Sequence, residues 1–135
     1  MDSTPNPTGH GVLMKQNVTL TISSLLAIVL TTFHLTDDVL HAKDGMPPGD
    51  VFKLLLIMLV MLYGTVELAG RRSGYIIMLL GGIAAASMPF VHGMGPGATK
   101  WGFFFVWTLF GLGVSGSFTA ILSAQALWRS FRARG

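Results

Sequence analysis

Four long apolar stretches, separated by short polar or glycine-rich links, dominate the pattern of this sequence. The stretches run over about residues 17–40, 51–70, 75–91 and 101–128. At a rise of about 1.5 Å per residue, a helix of about 20 residues crosses the hydrocarbon core of a bilayer. Each stretch therefore predicts a membrane-spanning helix. Because the links are short, the chain is predicted to be an all-α, four-helix antiparallel bundle.

The composition supports a membrane setting. The hydrophobic residues make up 51% of the 135-residue chain and the charged residues only 11%, whereas soluble domains carry about 25% charged residues. The chain has no cysteine, which excludes disulfides, thiolate catalysis and cysteine-ligated metals. Residues 1–14 contain no long apolar run and are predicted to be a flexible polar tail. Residues 15–135 then form a single transmembrane domain.

The basic residues predict the orientation of the helices. If the N-terminus, the second link and the C-terminus share one side of the membrane, that side carries six of the nine Lys and Arg residues. Basic residues accumulate on the cytoplasmic side, so both termini are predicted to be cytoplasmic. The charges flank the apolar stretches instead of forming one basic face, which argues against a nucleic-acid partner. The six are Lys15, Arg71, Arg72, Arg129, Arg132 and Arg134; the other side has Lys43, Lys53 and Lys100.

The stretch FHLTDDVLHAKDG, which begins at Phe33, ends the first apolar segment with a cluster of polar side chains. Successive residues of a helix are about 100° apart, which puts all four candidate ligands of this stretch on one face. His92 ends the third apolar stretch on the same, outward side of the predicted topology. A ligand from a second helix is therefore available. The candidates within the stretch are His34, Asp37, Asp38 and His41.

These residue types indicate a metal site. Imidazole and carboxylate together suit zinc, iron or manganese. The sequence therefore predicts an outward-facing site for a divalent metal or a small polar ligand. Haem held between His34 and His92 is a weaker alternative. A further alternative is that the polar residues only mark where the helix leaves the membrane. The predicted ligands are His34, Asp37, Asp38, His41 and His92.

No reaction follows from these residues. A metal-bound water beside a spare aspartate is able to hydrolyse a lipid or peptide bond, but no nucleophile motif or phosphate clamp accompanies the cluster. The segment GLGVSG matches the dinucleotide fingerprint in its letters, yet it lies within an apolar helix and follows no strand. Gly111, Gly113 and Gly116 are therefore interpreted as helix-packing positions. The segment WGFFFVW is interpreted as an interfacial anchor, with a wall beside His92 as the alternative.

Glu67 and Arg71 stand at i, i+4 near the cytoplasmic end of the second stretch and are predicted to form an ion pair. A proton-carrying carboxylate is the alternative for Glu67. Two other functions stay open for the whole chain. One is a non-catalytic accessory subunit that assembles, as a homo-oligomer or in a larger complex, through Gly, Ala and Ser helix faces. The other is an oligomeric small transporter or channel. Such a function needs more polar groups in the middle of the membrane than the Ser and Thr hydroxyls of the apolar stretches.

Three segments, TTFHLTDD, ELAGRRSGY and FFFVWTL, resemble a group of small bacterial membrane proteins with four spans and no established activity. The resemblance covers all four apolar stretches. It implies a multi-pass protein of the bacterial inner membrane. It implies no site and no reaction.

Overall fold

The computed structural model describes residues 7–41, 47–93 and 102–132, and all regular secondary structure in them is α-helix. All four helices are long and apolar enough to cross a membrane. This confirms the prediction of an all-α protein with four helices able to span a bilayer. The helices are α1 (Pro7–His41), α2 (Pro48–Val66), α3 (Arg72–Gly93) and α4 (Phe103–Arg132).

The helix ends differ by a few residues from those that the hydrophobic pattern predicts, and the start of α1 differs by more. α1 begins at Pro7, so residues 7–14 of the predicted tail are helical. α2 begins with Pro48 at its first position, where the missing N–H of proline is unpaired in any helix. α4 continues to Arg132. Hydropathy marks only the part of a helix that suits hydrocarbon, whereas backbone hydrogen bonds continue into the interface.

α2 ends before the predicted Glu67–Arg71 pair. The chain turns after Val66, and Gly70 has a φ of 77°, a conformation that glycine adopts at little cost. Because the helix stops there, Glu67 and Arg71 lack the helical i, i+4 spacing on which that prediction rests. Both residues are exposed, and no ion pair joins them among the residues that the structure describes.

α4 is the central helix of the packing. It packs along α3 and along α1, and α2 packs mainly on α3. Gln16 lies against Gln125 at one end of the bundle and His34 against Thr108 at the other, so α1 and α4 run in opposite directions. α2 buries only two small residues, Gly64 and Thr65. Most of its large apolar side chains remain exposed, which suits contact with hydrocarbon.

Glycine lets the backbones of α3 and α4 approach each other closely. A Cβ added at Gly116 of α4 would lie 2.5 Å from the backbone nitrogen of Ala86 in α3. A Cβ at Gly82 of α3 would lie 2.7 Å from the backbone nitrogen of Ala120 in α4. No side chain fits between helix backbones at these distances. The small residues of α3 and α4 are therefore covered within one chain at this point.

The other two glycines of this segment have looser surroundings. A Cβ at Gly111 would meet the side chain of Leu30 in α1 at 3.0 Å, and one at Gly113 would meet Pro89 in α3 at 3.2 Å. Both neighbours are side chains and not backbone, and the end of the Leu30 side chain can shift by a few tenths of an ångström. Gly116 is therefore the residue of the three whose lack of a side chain matters most.

Hydroxyl groups join three helices in the middle of the bundle. Ser24 of α1 and Thr65 of α2 are fully buried, and their oxygens lie 2.7 Å apart. Ser23 lies 3.0 Å from the hydroxyl of Thr119 and donates to the carbonyl of Ser115 in α4. Because hydrocarbon offers no water to these groups, bonds of this kind hold neighbouring helices together.

We expect Gly116→Leu to destabilise the α3–α4 pair. Overfilling a packed interior costs roughly 1–3 kcal/mol when side chains can adjust, and here the obstacle is backbone. The free energy of unfolding, measured by denaturant titration in mixed micelles, should fall by at least that amount. Ser117→Leu is the matched control, because Ser117 is exposed on the same helix. Equal stability of the two variants would contradict the packing described here.

A double-mutant cycle of Ser24→Ala and Thr65→Val should give a coupling energy of about 0.5–1.7 kcal/mol, the range for hydrogen bonds between membrane helices. The same unfolding titration measures it. Thr32→Val combined with Thr65→Val is the control, since the hydroxyl of Thr32 donates to the carbonyl of Ile28 in its own helix. A coupling near zero in the first cycle would show that the hydroxyls do not join α1 to α2.

Candidate metal centre

Three helices bring two imidazoles and one carboxylate together at one end of the bundle. His34 and Asp38 stand one turn apart near the end of α1, and His92 lies in the last turn of α3. Phe105 and Thr108, in the first two turns of α4, lie against the rings from the inside. The site therefore depends on how α1, α3 and α4 meet, because no single helix carries all of its side chains.

The carboxylate of Asp38 lies near both histidines. Its Oδ2 is 3.6 Å from Nε2 of His34 and 3.7 Å from Nε2 of His92. The three ligand atoms of the cluster all lie within 4.8 Å of one another. His34 is 4% exposed, while Asp38 and His92 are half-buried. The cluster is thus closed on the side of α4 and partly open at Asp38 and His92.

The second nitrogen of each ring has a neighbour that can hold it. Nδ1 of His92 lies 3.1 Å from the carbonyl oxygen of Met88, one turn earlier in α3. A carbonyl only accepts, so this nitrogen carries the hydrogen, and in the neutral ring Nε2 presents its lone pair to the cluster. Nδ1 of His34 lies 3.4 Å from the hydroxyl of Thr108. Nε2 of His34 is buried and has no hydrogen-bond partner in the described part of the chain.

Phe105 closes the inner side of the cluster. Its ring centroid lies 4.6 Å from that of His34 and 5.5 Å from that of His92. The two imidazoles meet edge to face with centroids 4.8 Å apart. This contact leaves no slot for a flat macrocycle between the rings, so the haem alternative does not fit. The aromatic start of α4 thus supplies a wall beside His92.

The cluster contains His34, Asp38 and His92 of the five predicted ligands. Asp37 is half-buried on α1 and lies outside the group of converging atoms. α1 ends at His41, whose side chain lies outside the described residues. Helical periodicity places Asp37 and Asp38 on the same broad face, and it does not decide which carboxylate points between α1 and α3.

Thr108 is the residue of the site that the sequence interpretation misses. It lies within an apolar, aromatic segment and carries no motif. Several other Ser and Thr residues of the chain bond back to their own helix in the same way, as Thr31 does to Ala27. Nothing in the sequence distinguishes Thr108 from them, because its contact with His34 joins residues 74 positions apart.

Comparisons of the chain with protein-family models, with curated proteins and with solved structures find no match. The geometry of the cluster is therefore the basis for a functional interpretation. The resemblance to small bacterial membrane proteins with four spans stays a prediction.

Proposed function

We propose that this multi-pass membrane protein binds one divalent transition-metal ion, zinc, iron or manganese, through His34, Asp38 and His92. The observation that carries the proposal is the burial of Nε2 of His34. This nitrogen is buried without a hydrogen-bond partner among the described residues, and it faces a carboxylate and a second imidazole. A buried polar atom without a partner is costly. A cation held between the three ligands removes that cost.

The spacing of the ligand atoms supports the binding of a metal ion. Ligands that lie about 2.1 Å from a shared metal are about 3.0–3.4 Å apart in octahedral or tetrahedral geometry. The separations of 3.6 and 3.7 Å at Asp38 need to shorten by a few tenths of an ångström. The widest separation in the cluster, within 4.8 Å, needs a larger movement of the side chains. A direct charge-assisted hydrogen bond would instead bring nitrogen and oxygen to about 2.8 Å. The contacts at Asp38 are within the range of ion pairs, but they are longer than direct hydrogen bonds.

The donor set also determines what such a site can do. One carboxylate and two neutral imidazoles leave a divalent ion with a net charge of about +1. Three protein ligands leave at least one position for water or a small polar ligand, as in metal sites that act on a ligand. Asp38 and His92 are only half-buried, so a small ligand has access. The site is therefore suited to bind and polarise such a ligand.

We further propose that the site faces outward and that both termini are cytoplasmic, in a bacterial inner membrane. The distribution of Lys and Arg residues between the two ends of the bundle supports this orientation. Arg72 contacts Ser130 and Phe131 at the end of α4, and Tyr75 donates to Asn17 near the start of α1. These contacts gather basic residues at the end of the bundle opposite to the site. The described ones are Lys15, Arg71, Arg72, Arg129 and Arg132.

Elemental analysis tests the metal site. Protein purified without chelator or metal-affinity tag and then loaded with zinc should hold close to one equivalent per chain. Asp38→Asn and His92→Ala should each weaken binding by more than about tenfold, since loss of an outer-sphere partner already costs that much. Asp50→Asn is the matched control, because Asp50 is exposed and pairs with Lys53.

A competing chromophoric chelator gives the affinities. Equal binding by the Asp38→Asn and Asp50→Asn variants, or no binding by the loaded wild-type protein, would contradict the proposal. Circular dichroism on each variant shows whether the helices are retained.

The orientation can be tested by cysteine labelling, since the chain has no native cysteine. Gly49→Cys lies at the start of α2, where an added side chain meets nothing within 4 Å. Ser73→Cys lies exposed at the start of α3, at the opposite end. A membrane-impermeant maleimide should label intact cells at position 49 and spare position 73 until the cells are lysed. The reverse labelling pattern would show that the protein has the opposite orientation in the membrane.

A further inference from the structure

We infer that Thr108 is a positioning residue, which holds His34 in the tautomer that can bind the metal. This inference rests on the proposed metal site and adds a residue from a third helix to it. Thr108 touches no candidate ligand atom. Its contact is with Nδ1 of His34, on the far side of the ring from Nε2.

The direction of the hydrogen bonds around Thr108 follows from its neighbours. A hydroxyl has one hydrogen to donate. The carbonyl of Phe105, 2.9 Å away, can only accept, and it is nearer than Nδ1 of His34 at 3.4 Å. The hydroxyl therefore donates to Phe105 and offers a lone pair to His34. Nδ1 of His34 must then supply the hydrogen of that contact.

The tautomer of His34 follows directly. A neutral imidazole carries hydrogen on one nitrogen only. With the hydrogen on Nδ1, the lone pair of Nε2 faces Asp38 and His92. The other tautomer would point an N–H from Nε2 at the carboxylate of Asp38, 3.6 Å away, and would put a hydrogen where the metal belongs. Thr108 thus selects the tautomer that keeps the ligand set open.

The two histidines are oriented by different means. His92 is held by the carbonyl of Met88 in its own helix, which a substitution at position 88 does not remove. The contact at Nδ1 of His34 is instead made by a side chain of another helix. Thr108 is 1% exposed and His34 4%, so water does not readily take over the contact when the hydroxyl is lost.

Metal affinity separates this role from a general packing role. Thr108→Val keeps the shape of the side chain and removes the hydroxyl. Chelator-competition titration with zinc in detergent should give an affinity about 10–100-fold weaker than wild type, the usual cost of losing an outer-sphere partner. Thr108→Ser restores the hydroxyl and should bind within about threefold of wild type. Thr119→Val is the control, because Thr119 is equally buried in α4 and bonds to Ser115 and Ser23.

A second readout does not depend on metal. Nitrogen NMR of the metal-free protein with isotope-labelled histidine reports which ring nitrogen carries hydrogen. We expect His34 to be the Nδ1–H tautomer in the wild type and in Thr108→Ser, and to gain Nε2–H population in Thr108→Val. An Nε2–H tautomer in the wild type, or wild-type affinity in a folded Thr108→Val variant, overturns the inference.

The two readouts also separate the two proposals. If the wild type binds no metal, the metal site is wrong, and the tautomer measurement still decides whether Thr108 orients His34. If the wild type binds zinc and Thr108→Val binds it equally well, the metal site stands and the role of Thr108 is wrong.

Discussion

The approach of α3 to α4 at Gly82 and Gly116 is the contact on which the rest of this structure depends. Backbone atoms meet there without a side chain between them, so the contact sets both the distance and the register of the two helices. Because the helices run in opposite directions, that register brings the last turn of α3 beside the first turns of α4. His92 and Phe105 lie together for this reason.

α1 joins this pair through polar contacts and through Leu20, which packs in a buried cluster with Tyr75 and Leu127. Between helices in lipid there is little hydrophobic driving force, and association depends on close packing and hydrogen bonds. Ser23 meets Thr119 in the middle of α4, and His34 meets Thr108 near its start. α1 makes few contacts with α3, yet Asp38 lies beside His92 at their shared end. A bound ion would therefore tie α1 to α3, and its binding free energy would add to the stability of the bundle.

The candidate site and the membrane setting are physically coupled. Hydrocarbon and protein around His34 lower the local dielectric, which makes an unpaired polar atom costly and a cation between anionic and neutral ligands favourable. The same surroundings keep water from replacing the contact with Thr108. The partly open side at Asp38 and His92 is where a ligand can exchange with water.

The sequence by itself determined the features that depend on one helix at a time. Hydropathy predicted four spans, and the i, i+4 spacing placed His34 and Asp38 on one face. Only the tertiary structure decided that Asp38 lies beside His92 while Asp37 lies outside the cluster, and that Thr108 reaches His34. Periodicity follows from the geometry of a single helix, whereas the rotation and separation of neighbouring helices follow from contacts such as that at Gly116. Those contacts join residues far apart in the chain, and no local pattern records them.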